Sequence, residues 1–230
     1  MKNSMKNYYG FTLIEMSLVL LIMAFTLSSL LFPLSSKLEE RSINKTKIQI
    51  NNLKESVLNF VLIHYRLPCP DIDQDGLEDM LGVNCSDING NIPYVTLGSP
   101  HIQDPWGERF LYQVSPELAD NNNINTCATA PAGVSIAICS ALNEGTINVF
   151  SYTAAGAQQP AAIGVAAIIL STGKNTGING VAQNENTDND ADFVKTGYGD
   201  INANIPFNDI VIWITVNELI AKLIEVEVLP

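Results

Sequence analysis

The stretch from Met16 to Ser36 constrains this chain most, because it contains no charged side chain. Its central part, Leu18 to Phe25, is entirely apolar. About twenty such residues in a helix are long enough to cross the hydrocarbon core of a bilayer. Ahead of this stretch lie Lys2 and Lys6 and no acid before Glu15, which predicts an N-terminus in the cytoplasm. The sequence therefore predicts one membrane-spanning helix followed by a translocated domain.

Glu15 lies at the edge of this apolar run, where an ionised carboxylate costs about 2.5 to 3.5 kcal/mol on insertion scales. A counter-charge is therefore needed. The residues that surround it, Gly10-Phe11-Thr12-Leu13-Ile14-Glu15, resemble the prepilin signal of type IV pilins and type II secretion pseudopilins. The resemblance implies that a peptidase cuts between Gly10 and Phe11, that the new amino terminus is methylated, and that the apolar segment is retained. Glu15 would then pair with the amino group of Phe11 on a neighbouring subunit.

Further strings resemble the same family, more loosely. They are Leu67-Pro68-Cys69-Pro70-Asp71, Asp104-Pro105-Trp106-Gly107, Ser171-Thr172-Gly173-Lys174-Asn175 and Phe207-Asn208-Asp209-Ile210-Val211-Ile212-Trp213. The implied fold is α+β and pilin-like: a long N-terminal helix, with a transmembrane half and an amphipathic half, packs on a small, mostly antiparallel sheet. The implied segments are a leader (1–10), a transmembrane and assembly helix (11–36), its amphipathic continuation (37–66) and a periplasmic globular domain (67–230).

The pattern after residue 36 supports this division. One stripe of helical spacing, at steps of three, four and seven, contains Ile43, Ile50, Leu53, Val57, Phe60, Val61 and His64. The helix should end near Tyr65, because Leu67 precedes a proline. Short apolar runs predict strands at Arg109 to Val114, Ile147 to Thr153, Ile163 to Ser171 and Asp209 to Thr215. Val216 to Ile224 predicts a final helix, with Asn217 as its cap.

The net charge of −12 argues against nucleic-acid binding, because an acidic surface repels phosphates. The pair Gly173-Lys174 is not a phosphate loop, since Ile168 occupies the position of the first glycine. His64 and His101 match no pattern of a nucleophile with its base. We therefore expect no enzymatic activity.

All four cysteines, Cys69, Cys85, Cys127 and Cys139, follow the apolar run, and none forms a CxxC pair. Their spacing favours two local disulfides, Cys69 with Cys85 and Cys127 with Cys139, although four cysteines allow three connectivities. Disulfides indicate an oxidising compartment. Four free thiols are the alternative.

Two acidic groups could bind a cation. Asp71, Asp73, Asp75 and Asp79 occupy positions one, three, five and nine of a calcium loop, with Gly76 at the turn, but Gly82 occupies the position of the bidentate glutamate. Calcium is therefore possible there, and a loop of Asx turns is the alternative. The second group is Glu185, Asp188, Asp190 and Asp192, which resembles loosely the late acidic loop of major pseudopilins.

The resemblance implies a membrane-anchored structural subunit of a type II secretion pseudopilus or type IV pilus. Its partners would be other pilin-like subunits, prepilin peptidase and the inner-membrane assembly platform. It would be a single-pass inner-membrane protein, with the globular domain in the periplasm or in an extracellular filament. The alternative is a binding module or tip adhesin on a pilin-like anchor, which an exposed apolar or aromatic patch would favour.

Overall fold

The computed structural model describes residues 10–64, 66–119, 145–152, 158–174, 181–196 and 207–225, without the side chains of residues 28–35, 181 and 224. The elements are α1 (Leu13–His64), β1 (Met80–Leu81), β2 (Asn84–Cys85), β3 (Asn89–Asn91), β4 (Leu111–Val114), α2 (Pro116–Ala119), β5 (Ile147–Tyr152), β6 (Gln158–Ser171), α3 (Val181–Glu185), β7 (Asp192–Val194), β8 (Ile210–Thr215) and α4 (Val216–Glu225). The chain divides into two compact units, Met1–Ser42 and Ile43–Pro230.

The larger sheet is built around β6. Its strand order is β3-β4-β6-β5-β7, and β8 pairs with the C-terminal half of β6. Alternate side chains of β6 enter two cores, because successive residues of a strand point to opposite faces. Ala167 and Ile169 contribute to the core that contains α1, and Ile168 and Leu170 contribute to the core on the other face.

The C-terminal half of α1 packs on this sheet. Its buried residues Ile50, Leu53, Val57 and Val61 recur at helical spacing and belong to the core that contains Tyr112. Full burial of such a side chain stabilises the fold by roughly 1.5 to 3 kcal/mol. This stripe therefore determines which face of α1 meets the sheet.

The last helix, α4, packs against the same core through Leu219 and Leu223. Its cap is Thr215, whose Oγ1 accepts a hydrogen bond from the N–H of Glu218 at 3.2 Å. The prediction that Asn217 caps this helix is therefore wrong, because Thr215 and Glu218 stand in the spacing of a capping box.

The α+β class is observed, but the predicted pilin-like form of it, with a transmembrane half in the N-terminal helix, is wrong. The larger sheet is curled and mixed, but mostly antiparallel as predicted, because β5 and β7 are the single parallel pair among its described strands. Although α1 runs without interruption over 52 residues, Leu13–His64, no helix is apolar enough over its described residues to span a membrane.

A membrane-spanning segment is accordingly not found among the described residues: none of their helices combines the length and the apolar character that a crossing requires. This finding overturns the predicted transmembrane half of the N-terminal helix. It also overturns the predicted location as a single-pass inner-membrane protein.

Several local predictions are confirmed. The helix ends at His64, next to the predicted end at Tyr65. The four strands predicted from apolar runs correspond to β4, β5, β6 and β8, and the final predicted helix corresponds to α4. The small strands β1, β2, β3 and β7 were not predicted, because two or three residues are too few to show a periodic pattern.

Candidate functional site

The predicted processing site lies at the start of the described chain. Gly10 and Phe11 are exposed, and a side chain built on Gly10 would meet no atom within 4 Å. The bond between them is therefore open to a peptidase.

Glu15 has a local role that the predicted pairing with Phe11 does not include. Its N–H donates to the carbonyl oxygen of Thr12 at 3.1 Å and lies 3.3 Å from Thr12 Oγ1. Thr12 and Glu15 thus stand in the Thr-x-x-Glu spacing of a capping box, a signal that was present in the sequence. The Glu15 carboxylate has no hydrogen-bond or ion-pair partner among the described residues, so it remains available to another molecule.

The helical residues after Glu15 expose an apolar surface. Every large hydrophobic side chain described from Phe11 to Leu27 is exposed, with Leu13 at 92% and Phe25 at 70%. The exposed side chains include the consecutive residues 18–23, which cover all sides of a helix with 3.6 residues per turn. A helix that is apolar all round is normally surrounded by other apolar groups.

The first acidic group forms a loop that is held by its own carboxylates. Asp71 accepts hydrogen bonds from the N–H groups of Gln74 and Gly76 at 2.6 and 3.0 Å. Asp79 Oδ2 accepts from the N–H of Ile72 at 2.7 Å. These contacts form the turns of the alternative interpretation, in which the loop needs no cation.

Three of the four predicted ligands nevertheless come together. Asp71, Asp73 and Asp79 each place one carboxylate oxygen within 4.8 Å of the others. Asp75 does not join them, and its carboxylate accepts the N–H of Leu77 at 2.7 Å. Burial raises the pKa of Asp71, and the hydrogen bonds from two backbone N–H groups offset part of that increase.

The second acidic group is arranged in a similar way. Glu185, Asp190 and Asp192 place one carboxylate oxygen each within 4.8 Å of the others, whereas Asp188 is outside this group. Burial, and then repulsion from the three aspartates, raises the pKa of Glu185. Calcium at either group stays a prediction.

The disulfide between Cys69 and Cys85 is confirmed, with a sulfur–sulfur distance of 2.03 Å. It closes the acidic loop and ties it to β2. Cys127 and Cys139 lie outside the described residues.

An ion pair beside this disulfide was missed by the sequence analysis. Arg66 donates to both carboxylate oxygens of Glu78 at 2.7 Å, and Glu78 also accepts the N–H of Cys69 at 3.1 Å. The Arg66 guanidinium lies 5.2 Å from the ring centroid of Phe60. Nothing in the spacing of Arg66 and Glu78 marks them as partners, so this pair required the tertiary structure.

Three of the strings noted in the sequence meet at one place in the fold. Asp104 Oδ1 accepts from the N–H groups of Trp106 and Glu108, and its Oδ2 accepts the Ser171 hydroxyl at 2.7 Å. Ser171 Oγ in turn accepts the N–H of Gly173. Gly173 lies so close to Asn208 that an added Cβ would overlap its carbonyl oxygen.

This network fixes the backbone of the three segments, because its polar groups hydrogen-bond to one another. The two histidines are also engaged elsewhere: His64 stacks on Phe60 at 4.1 Å, and His101 Nε2 lies 3.4 Å from Asn52 Nδ2.

Comparison with models of known protein families, with curated proteins and with solved structures gives no match for this chain.

Proposed function

We propose that this chain is a structural subunit of a filament of the type II secretion pseudopilus or type IV pilus kind. It is processed by prepilin peptidase between Gly10 and Phe11 and assembles through the N-terminal part of α1. The observation that carries the proposal is the apolar surface of residues 11–27, exposed on all sides, with Glu15 at its beginning.

The exposed surface needs a cover, because apolar area in contact with water costs about 25 cal/mol per Å². The same segment from other copies supplies a cover of matching length and chemistry. A contact that repeats head to tail without closing into a ring produces a helical filament. The role is one of assembly, and the proposal assigns the chain no catalysed reaction.

Cleavage after Gly10 places a new amino group on Phe11, and Glu15 is the fifth residue from that end. Thr12 and Glu15 remain together after cleavage, so the cap of α1 is retained. The carboxylate of Glu15 is then free to pair with the Phe11 amino group of a second subunit, which neutralises both charges within the apolar contact and sets the register between subunits.

The test combines processing and assembly. Mass spectrometry of the purified product should find Phe11 as the first residue. Glu15→Gln should be processed but incorporated poorly into filaments, because glutamine preserves the capping box and removes the charge.

The matched control is Glu40→Gln, which removes the same charge from an exposed position of α1 and should assemble normally. Wild-type incorporation of Glu15→Gln would contradict the pairing role, and a different first residue would contradict the processing.

A binding module is the second candidate, because the second unit also exposes apolar side chains. Leu81 and Val83 are 76% and 45% exposed around the turn between β1 and β2. Replacing both by serine should leave filament assembly unchanged if they serve only recognition, whereas loss of assembly would place them in the filament contact.

A further inference from the structure

A cavity of about 350 Å³ lies between α1 and β8. Two amino groups, those of Lys47 and Lys195, line it together with the aliphatic residues Ile50 and Ile212. The chain has 12 lysines and arginines against 24 acids, so the two cations of this cavity contrast with the overall acidic charge.

Neither lysine forms an ion pair among the described residues. Lys54, which lies nearby, is paired with Glu218 at 2.7 Å and donates to the carbonyl oxygen of Trp213 at 3.0 Å. Lys47 and Lys195 have no carboxylate partner among the residues that the structure describes. The amino group of Lys195 lies 4.4 Å above the ring of Trp213, which holds it in place without neutralising its charge.

The charges around Lys195 are also positive. Burial lowers the pKa of Lys195, and repulsion from Lys54 and Lys47 lowers it further. An anion that entered the cavity would relieve this repulsion.

Asp209 also lines the cavity, but it does not cancel the two cations. Its Oδ2 accepts a hydrogen bond from Asn186 Nδ2 at 2.7 Å. Burial raises the pKa of Asp209 to about 7, so near neutral pH about half of the molecules carry it uncharged. The cavity therefore retains a net positive charge.

The position of the cavity beside β8 favours an extended ligand. Its lining includes Ile210 to Ile212 of this strand. Among the described strands, β8 pairs only with β6, and the described residues make no further backbone hydrogen bond to Ile210–Ile212. This part of the other edge of β8 therefore has N–H and C=O groups to offer. An edge of this kind can accept an extended peptide as an added strand.

We propose that this cavity binds an acidic peptide segment, with Lys47 and Lys195 contacting a carboxylate and the partly exposed Ile212 contacting an aliphatic neighbour of that carboxylate. The proposal goes beyond assembly through the N-terminal helix and does not depend on it. This chain carries such a segment itself, because Ile72, Asp73, Asp75 and Leu77 are all exposed in the loop closed by the disulfide.

The probe is a fluorescent peptide, Asp-Ile-Asp-Gln-Asp-Gly-Leu, which is the sequence of residues 71–77. Its binding to the full chain in non-ionic detergent is followed by fluorescence anisotropy. The double variant Lys47→Gln/Lys195→Gln should bind it about tenfold more weakly, because two ion pairs are lost. The same peptide with asparagine in place of each aspartate should bind as weakly to the wild type.

The matched control is Lys45→Gln/Lys174→Gln, which removes two exposed charges outside the cavity and should bind like the wild type. Equal affinity of the wild type and the Lys47/Lys195 variant, or no preference for the acidic peptide, would overturn the proposal. A disulfide-closed peptide of residues 69–85 identifies the source: tighter binding than the linear probe indicates a second copy of this chain, and weaker binding indicates another acidic segment.

Discussion

At the scale of single residues, Gly173 has little freedom to change. Its φ of 61° lies in the left-handed region, and a Cβ would overlap the carbonyl oxygen of Asn208. Gly98 has nearly the same φ, 62°, but faces open space. A comparison of substitutions at the two positions therefore separates the cost of the left-handed backbone from the cost of close packing.

Gly173→Ala should lower the free energy of unfolding by more than Gly98→Ala does. Gly98→Ala, the control, should cost about 1 to 2 kcal/mol, which is the penalty of the left-handed region. Gly173→Ala should cost this amount and, in addition, the energy of the overlap with Asn208. Urea denaturation of both variants measures the difference. Equal losses would mean that Asn208 moves aside without cost.

Asp209 makes the stability depend on pH. Burial raises its pKa from 3.8 to about 7, so the folded state binds its proton more tightly than the unfolded state does. Stability from this group is complete below pH 3.8 and is lost as the pH rises to about 7, a change on the order of 4 kcal/mol.

Asp209→Asn should remove this part of the pH dependence and raise the free energy of unfolding at pH 8 relative to the wild type. Denaturation curves at several values between pH 4 and pH 8 measure the slope. Glu55→Gln, at an exposed position of α1, should retain the slope of the wild type. If the pH dependence of stability were unchanged in Asp209→Asn, it would have to come from other titrating groups.

At the scale of elements, the junction between α1 and the acidic loop depends on the pair of Arg66 and Glu78. The Arg66 side chain is 8% exposed and that of Glu78 is 18% exposed. The disulfide from Cys69 to Cys85 closes the same loop. One electrostatic and one covalent contact therefore attach the loop to the end of the helix.

Glu78→Gln should destabilise the fold by about 3 kcal/mol, because it leaves the guanidinium of Arg66 buried without its counter-charge. Glu225→Gln is the matched control: it breaks the exposed pair with Lys222 and should cost less than about 1 kcal/mol. Thermal and urea denaturation compare the two. A similar small loss in both would show that water replaces the carboxylate at Arg66.

At the scale of the whole molecule, the two units differ in how they bury apolar groups. The core residues identified on both faces of the sheet begin at Ile50, whereas the described apolar side chains from Phe11 to Leu27 are exposed. The second unit thus contains its own core, and the first offers apolar surface to other molecules.

A chain that begins at Ile43 should therefore fold with a melting temperature close to that of the full chain and lose the filament assembly that the full chain shows. A chain that begins at Val57 should be much less stable, because it lacks the buried Ile50 and Leu53. Calorimetry and sedimentation measure both properties. Self-association of the chain from Ile43 would place an assembly contact outside the N-terminal segment.

The sequence by itself determined the features that depend on neighbours along the chain. The stripe from Ile50 to Val61, the end of α1 before Pro68 and the main strands follow from periodicity and from the restricted conformation next to proline. The disulfide of Cys69 with Cys85 followed from their proximity in sequence. The prediction that Asn217 caps α4 was wrong, because Thr215 offers a competing local capping signal.

Only the tertiary structure decided which distant side chains meet. It brought Asp71, Asp73 and Asp79 together without Asp75, paired Arg66 with Glu78, and placed Lys47 beside Lys195. Side-chain pairing across elements depends on the register of strands and on how a helix is rotated over a sheet, and no local spacing encodes either. The membrane-spanning helix that the apolar run predicted is not found among the helices of the described residues.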